Sequence, residues 1–137
     1  MTTTPQFLNT PEVAFGTIVT ADASGLKSVI AGGSLGTKVV GLHATSDDTV
    51  DRIIQIWINR AALDFLLGSV LVPDLSGTDG VNPTVNMFNT SMLPGLPVDN
   101  DGQVYINLKS GDTLKIKSTT TVTAAKTITA TAIAGNF

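Results

Sequence analysis

The sequence predicts an all-β fold: a β-sandwich, jelly-roll-like, with about eight short strands and one short helix. Three observations carry this. Apolar and polar residues alternate through residues 37–72 with the period of two that a half-buried strand requires. Turn-forming clusters recur at near-regular spacing, among them Asp22-Ala23-Ser24-Gly25, Ser46-Asp47-Asp48-Thr49 and Asp99-Asn100-Asp101-Gly102. Twenty of the 137 residues are threonine, whose branched Cβ packs well on a pleated surface.

Residues 1–13 are polar and hold Pro5 and Pro11, so they read as an extended N-terminal arm, with residues 14–137 forming a single domain. Residues 14–20 are the first strand candidate and residues 26–31 the second, ended by Gly32-Gly33. Residues 38–45 form a third, with Lys38, Val40, Leu42 and Ala44 as its more apolar face. Residues 51–59 are the clearest strand. Ile54, Ile56 and Ile58 share the face expected in the core, and Ile53, Gln55, Trp57 and Asn59 share the other. Arg60-Ala61-Ala62 then reads as a hairpin connection to a strand over residues 64–72, which stops at Pro73. Asn82-Pro83 offers an N-cap followed by proline at the first helical position, and the spacing of Val85, Phe88 and Met92 predicts a short helix over residues 83–89. Val104, Ile106 and Leu108 mark the next strand face. Leu114 and Ile116 follow with Lys115 and Lys117 facing out, and residues 127–134 are the final strand.

The length is that of one domain with a core of its own. Charged residues make up 14% of the chain, against roughly 25% in ordinary domains, so broad protein contacts would strand few charges. The net charge is −3 and no basic patch interleaves with aromatics, which argues against nucleic acid as a partner. With no cysteine, disulfides, thiolate zinc sites and cysteine nucleophiles are excluded. No secretory signal is visible, and no apolar run approaches the roughly 20 residues that span a bilayer. The expected product is made in the cytoplasm with no membrane partner.

Candidate chemistry is sparse. His43 is the one histidine, near Ser46, Asp47, Asp48 and Asp51, but no Gly-x-Ser-x-Gly nucleophile elbow accompanies it. Asp47, Asp48 and Asp51, or Asp99 and Asp101, offer carboxylate oxygens to a hard cation. Neither group has the spacing of a calcium loop, and turn chemistry explains both. Gly32-Gly33 with Gly36 has no helix after it to make a phosphate loop. Lys109, Lys115, Lys117 and Lys126 read as a solvated strand face with lysine guarding an edge. No catalytic, cofactor or metal residue is assigned, and no enzyme activity is expected.

One ordered set of segments points further. It runs Leu67-Gly68-Ser69-Val70-Leu71-Val72-Pro73, Gly77-Thr78-Asp79-Gly80, and Leu93-Pro94-Gly95-Leu96-Pro97-Val98-Asp99-Asn100-Asp101-Gly102. It ends in Leu108-Lys109-Ser110-Gly111-Asp112-Thr113-Leu114 and Val122-Thr123-Ala124-Ala125-Lys126-Thr127-Ile128. Over residues 37–137 this pattern of turns and strands resembles small virion structural proteins of tailed bacteriophages, in particular capsid decoration (cement) proteins. The resemblance implies a β-rich homotrimer in the virion that binds the major capsid protein on the outer surface of the expanded head. The N-terminal segment lies outside the resemblance and would supply a capsid-gripping arm, with Phe7 and Leu8 as its apolar residues. A trimer would bury the mixed strand face bearing Trp57 and Ile53. The alternatives are another virion component (tail, neck or fibre base) and a carbohydrate-binding module. The latter usually displays several aromatics on one face, whereas this chain has one Trp and one Tyr.

Overall fold

The computed structural model describes residues 10–137. Among them nine strands form two antiparallel sheets: β1 (Thr10–Val19), β2 (Lys27–Ala31), β3 (Thr37–Ser46), β4 (Arg52–Arg60), β5 (Leu63–Val72), β6 (Val85–Asn86), β7 (Ile106–Leu108), β8 (Thr113–Ser118) and β9 (Thr127–Asn136). The first sheet has the order β1-β9-β3, with β6 and β7 both pairing to β3. The second has the order β2-β8-β4-β5. With β6 and β7 counted as one interrupted strand, this is the jelly-roll order, two four-stranded sheets between which successive strands alternate except for the β4–β5 hairpin, which stays in the second sheet.

The interior follows from the alternation. Ile54 and Ile56 of β4 are fully buried, as are Leu114 and Ile116 of β8, and they lie in one core cluster with Ile18, Leu42 and Ile128 of the first sheet. Each such side chain contributes about 1.5–3 kcal/mol by leaving water. β9 presents the small residues Ala130, Ala132 and Ala134 inward, which leaves room for the branched side chains opposite. On one flank β1 runs close to β2. A Cβ on Gly16 would meet the Ser28 carbonyl oxygen at 2.9 Å, so only glycine fits there. On the other flank the connection between β5 and β7 closes the sandwich by burying Met87, Phe88 and Leu93.

Three sequence expectations need correction. The helix expected over residues 83–89 is absent. Val85 and Asn86 are instead the strand β6, paired with Ala44 and His43, and the Met87 N–H donates to the Leu42 carbonyl at 2.8 Å. A helix of that length is dominated by its costly nucleus. The extended route satisfies the same backbone groups on the free side of β3 and buries Met87 fully. The one helical turn among the described residues is a 3-10 turn at Thr20–Asp22. In β3, Val39 and not Val40 faces the core. Val40 is an extra residue between the paired Val39 and Gly41, and this bulge reverses the alternation so that Val39, Leu42 and Ala44 are all buried. Finally, β1 begins at Thr10, so Thr10–Val13, assigned to the arm, are strand residues paired with β9. Phe7 and Leu8 lie outside the described residues.

Candidate interaction surface

The acidic residues singled out in the sequence are used in building turns. Asp48, after β3, is buried. Arg52 Nε donates to its Oδ2 at 2.8 Å, and the hydroxyl and N–H of Thr123 donate at 2.6 and 3.1 Å. Burial acts to raise the Asp48 pKa, but hydrogen bonds from Thr123 and Arg52 outweigh it and hold the carboxyl at about 2. The remaining Arg52 nitrogens donate to Thr120 and Thr123, so the pair locks the β3–β4 turn to the β8–β9 connection. Asp47 accepts from the Thr127 N–H, Asp51 from the Asp74 N–H, and Asp99 from the N–H groups of Asp101 and Gln103. No cluster of three or more metal-ligating side chains occurs among the described residues. His43 lies on the outer face of the first sheet, opposite Thr131 and Asn86.

Trp57 and Ile53 do share a face. They lie on the outside of the second sheet, opposite Leu66 and Leu71 of β5 respectively. Ile53 is 47% exposed and Trp57 half-buried, with its indole N–H donating to Gln55 Oε1 at 3.3 Å. Lys117 Nζ stands 5.8 Å from the Trp57 ring centroid, and Lys115 Nζ is 3.8 Å from Asp64. These two lysines border the apolar face on β8. Lys109 and Lys126 belong to separate turns, so the four do not form one stripe.

The sequence reading missed how far this apolar surface extends along β5. Leu63 is 61% exposed, Phe65 52% and Leu66 49%. Leu66 pairs with Trp57 and faces outward, whereas Phe65 pairs with Ile58 and faces the inner side. At this end of the hairpin the first sheet does not cover the inner side. Ile58, Arg60, Phe65 and Leu67 line an open hollow of about 330 Å³ there. The hairpin end is thus apolar on both faces. The sequence signal is Phe65-Leu66-Leu67, three consecutive apolar residues where alternation should hold. Leu67 is the extra residue of a bulge between the Ile56–Gly68 and Trp57–Leu66 pairs.

The hairpin is held rigidly. Arg60 donates from Nε and Nη2 to the two carboxylate oxygens of Asp112 at 2.7 and 2.6 Å. These bonds, with the Lys109 N–H, keep the buried Asp112 carboxyl below its usual pKa against the opposing effect of burial. A second apolar patch lies on the first sheet, where Val13 and Ile133 pair beside Phe15 on the outer face.

A rigid strand pair with large exposed apolar side chains on both faces suits contact with protein surfaces. No protein-family model, curated protein or solved structure was found to match the chain.

Proposed function

We propose that this protein is a non-catalytic virion component, a capsid decoration protein that works as a homotrimer on the outer surface of a bacteriophage head and stabilises it through the major capsid protein. The observation that carries this reading is the β4–β5 hairpin, a strand pair pinned by Arg60 and Asp112 that leaves Ile53, Leu63, Phe65, Leu66 and Leu71 exposed. Such a surface fits binding of protein over a broad area. The jelly-roll order agrees, since that architecture recurs in capsid domains, although a fold by itself does not assign a role. The resemblance over residues 37–137 supplies the choice of the head. Closed symmetry fits a cement function, because each weak contact with the shell is multiplied by the number of copies bound together.

Immunogold electron microscopy tests the reading directly, using antibody against this chain on virions from its source. Label distributed over the head surface is the expected result. Label confined to the tail or neck would replace decoration with the tail-component reading, and unlabelled particles would remove the virion role altogether.

A further inference from the structure

We propose that the polar hollow between the β2–β3 loop and the β7–β8 turn binds an acidic saccharide. Lys109 and Arg60 would hold the carboxylate, and Ser34, Asn107 and Ser110 the sugar hydroxyls. The site stands or falls independently of the virion reading.

The hollow has a volume of about 470 Å³, inside the roughly 300–1,000 Å³ of small-ligand sites. Backbone hydrogen bonds fix its walls. The Gly32 N–H donates to the Asp112 carbonyl at 2.8 Å, and the Asp112 N–H donates to the Lys109 carbonyl at 3.0 Å, so the loop after β2 is tied to the turn before β8. The Phe137 N–H donates to the Gly36 carbonyl at 3.1 Å and brings the Phe137 ring against the same loop. Walls built this way are in place before a ligand arrives, which limits the ordering lost on binding.

One cation is already aimed. The Asp112 carboxylate is 1% exposed and takes Nε and Nη2 of Arg60 at 2.7 and 2.6 Å, together with the Lys109 N–H at 3.1 Å. Arg60 Nη1 has no partner among the described residues, although the side chain is 48% exposed. A planar guanidinium pinned along one edge presents its remaining N–H groups in a fixed direction. The second cation is unpaired. Among the described residues no acid, the Phe137 carboxylate included, lies in an ion pair with Lys109.

These donors select the ligand. Lysine and arginine can only donate, while serine hydroxyls and an asparagine amide both donate and accept. The matching molecule carries a carboxylate for the cations and hydroxyl groups for the rest. A neutral sugar leaves the cations unanswered, and a bare inorganic anion leaves Ser34, Asn107 and Ser110 unused. Leu35, 78% exposed on the rim, and the Phe137 ring offer an apolar edge to the C–H face of a sugar ring. Recognition by charge and hydrogen bonds does not need several aromatics on one face.

The test is amide NMR on the full chain, titrated separately with glucuronate, N-acetylneuraminate, glucose and inorganic phosphate. At least one acidic sugar should give saturable shifts confined to residues 34–36, 107–110 and 137. Lys109→Ala should weaken that binding about tenfold or more, the effect of losing one charge-assisted hydrogen bond, with an unchanged melting temperature. Lys126→Ala, at the other end of β9, should bind as wild type does. No saturable shift with either acidic sugar overturns the proposal. So does glucose or phosphate binding as tightly as the acidic sugar, which would leave a site for any sugar or an adventitious ion only. Equal binding by Lys109→Ala, or equal loss in Lys126→Ala, overturns it as well.

Discussion

Arg52 Nε lies 2.8 Å from the buried carboxylate of Asp48, four residues earlier in the chain and across the β3–β4 turn. The arginine's other nitrogens reach Thr120 and Thr123, so one ion pair ties together two connections some 70 residues apart in sequence. Removing Asp48 leaves a largely buried guanidinium without its counter-charge. Asp48→Ala should therefore lower unfolding free energy by about 3–5 kcal/mol, read as a drop in the urea midpoint at unchanged slope.

The same carboxylate makes stability depend on acid. Its folded pKa of about 2 lies below the 3.8 of the unfolded chain, so the folded state favours the ionised form. That stabilisation is complete above about pH 4 and is lost as pH falls through about 2, amounting to roughly 2 kcal/mol. Urea titrations at pH 6, 4 and 2.5 should show the decline in wild type. Asp48→Asn should start lower and decline less over the same range, because its share of the titration is gone, while the carboxyls of Asp22, Asp79 and Asp112, also held low, keep a residual decline.

The hairpin tip carries backbone strain. Ala61 and Ala62 connect the paired Arg60 and Leu63 with φ of 52° and 64°, the left-handed region at both central positions of a type I′ turn. Alanine is a poor choice there, and Asn-Gly is the preferred pair. Ala61→Asn with Ala62→Gly should stabilise the protein by about 1 kcal/mol and raise the melting temperature by a few degrees, measured by calorimetry.

Gly32 follows β2, and its N–H donates to the Asp112 carbonyl at 2.8 Å. A Cβ at this position would run into the backbone carbonyl of Lys109, which has no rotamer to yield. Gly32→Ala should cost about 1–3 kcal/mol by forcing apart β2 and the β7–β8 turn. Gly95→Ala, where nothing lies within 4 Å of the added carbon, is the control and should leave the melting temperature nearly unchanged.

Trp57 is the only tryptophan and sits against Leu66. If the hairpin joins copies, its emission should be blue-shifted at high protein concentration and move red on dilution below the assembly threshold. Leu66→Lys should show the red-shifted spectrum at every concentration. An emission maximum independent of concentration in the wild type, with trimeric mass retained, would place Trp57 away from the contact.

The strands of 37–72 were legible because the Ile54–Ile56–Ile58 alternation has one simple cause, burial of one face. What could not be read came from residues whose role is set by distant partners. Val40 looks like a core residue until β9 imposes a bulge beside it. Asn82-Pro83 carries a valid helix-start signal, yet a vacant edge of β3 drew Val85 and Asn86 into pairing. Ile53 and Trp57 were correctly placed on one outward face, whereas Phe65 and Leu67 were absorbed into an expected strand. Local sequence shows that a run is apolar on both parities, but only the extent of the opposite sheet decides whether the second face is covered.

The pairing of β1 with β9 across its whole length, from Thr10 with Asn136 to Val19 with Thr127, also governs how the chain must fold. β9 is the inner neighbour of both β1 and β3, so without it β1 has no partner in the first sheet and β3 keeps only its short pairings to β6 and β7. Folding is accordingly dominated by contacts distant in sequence, slow in comparison with helical proteins of the same size. Protection of the β1 amides from hydrogen exchange should therefore appear together with that of β9 during refolding, and never before it.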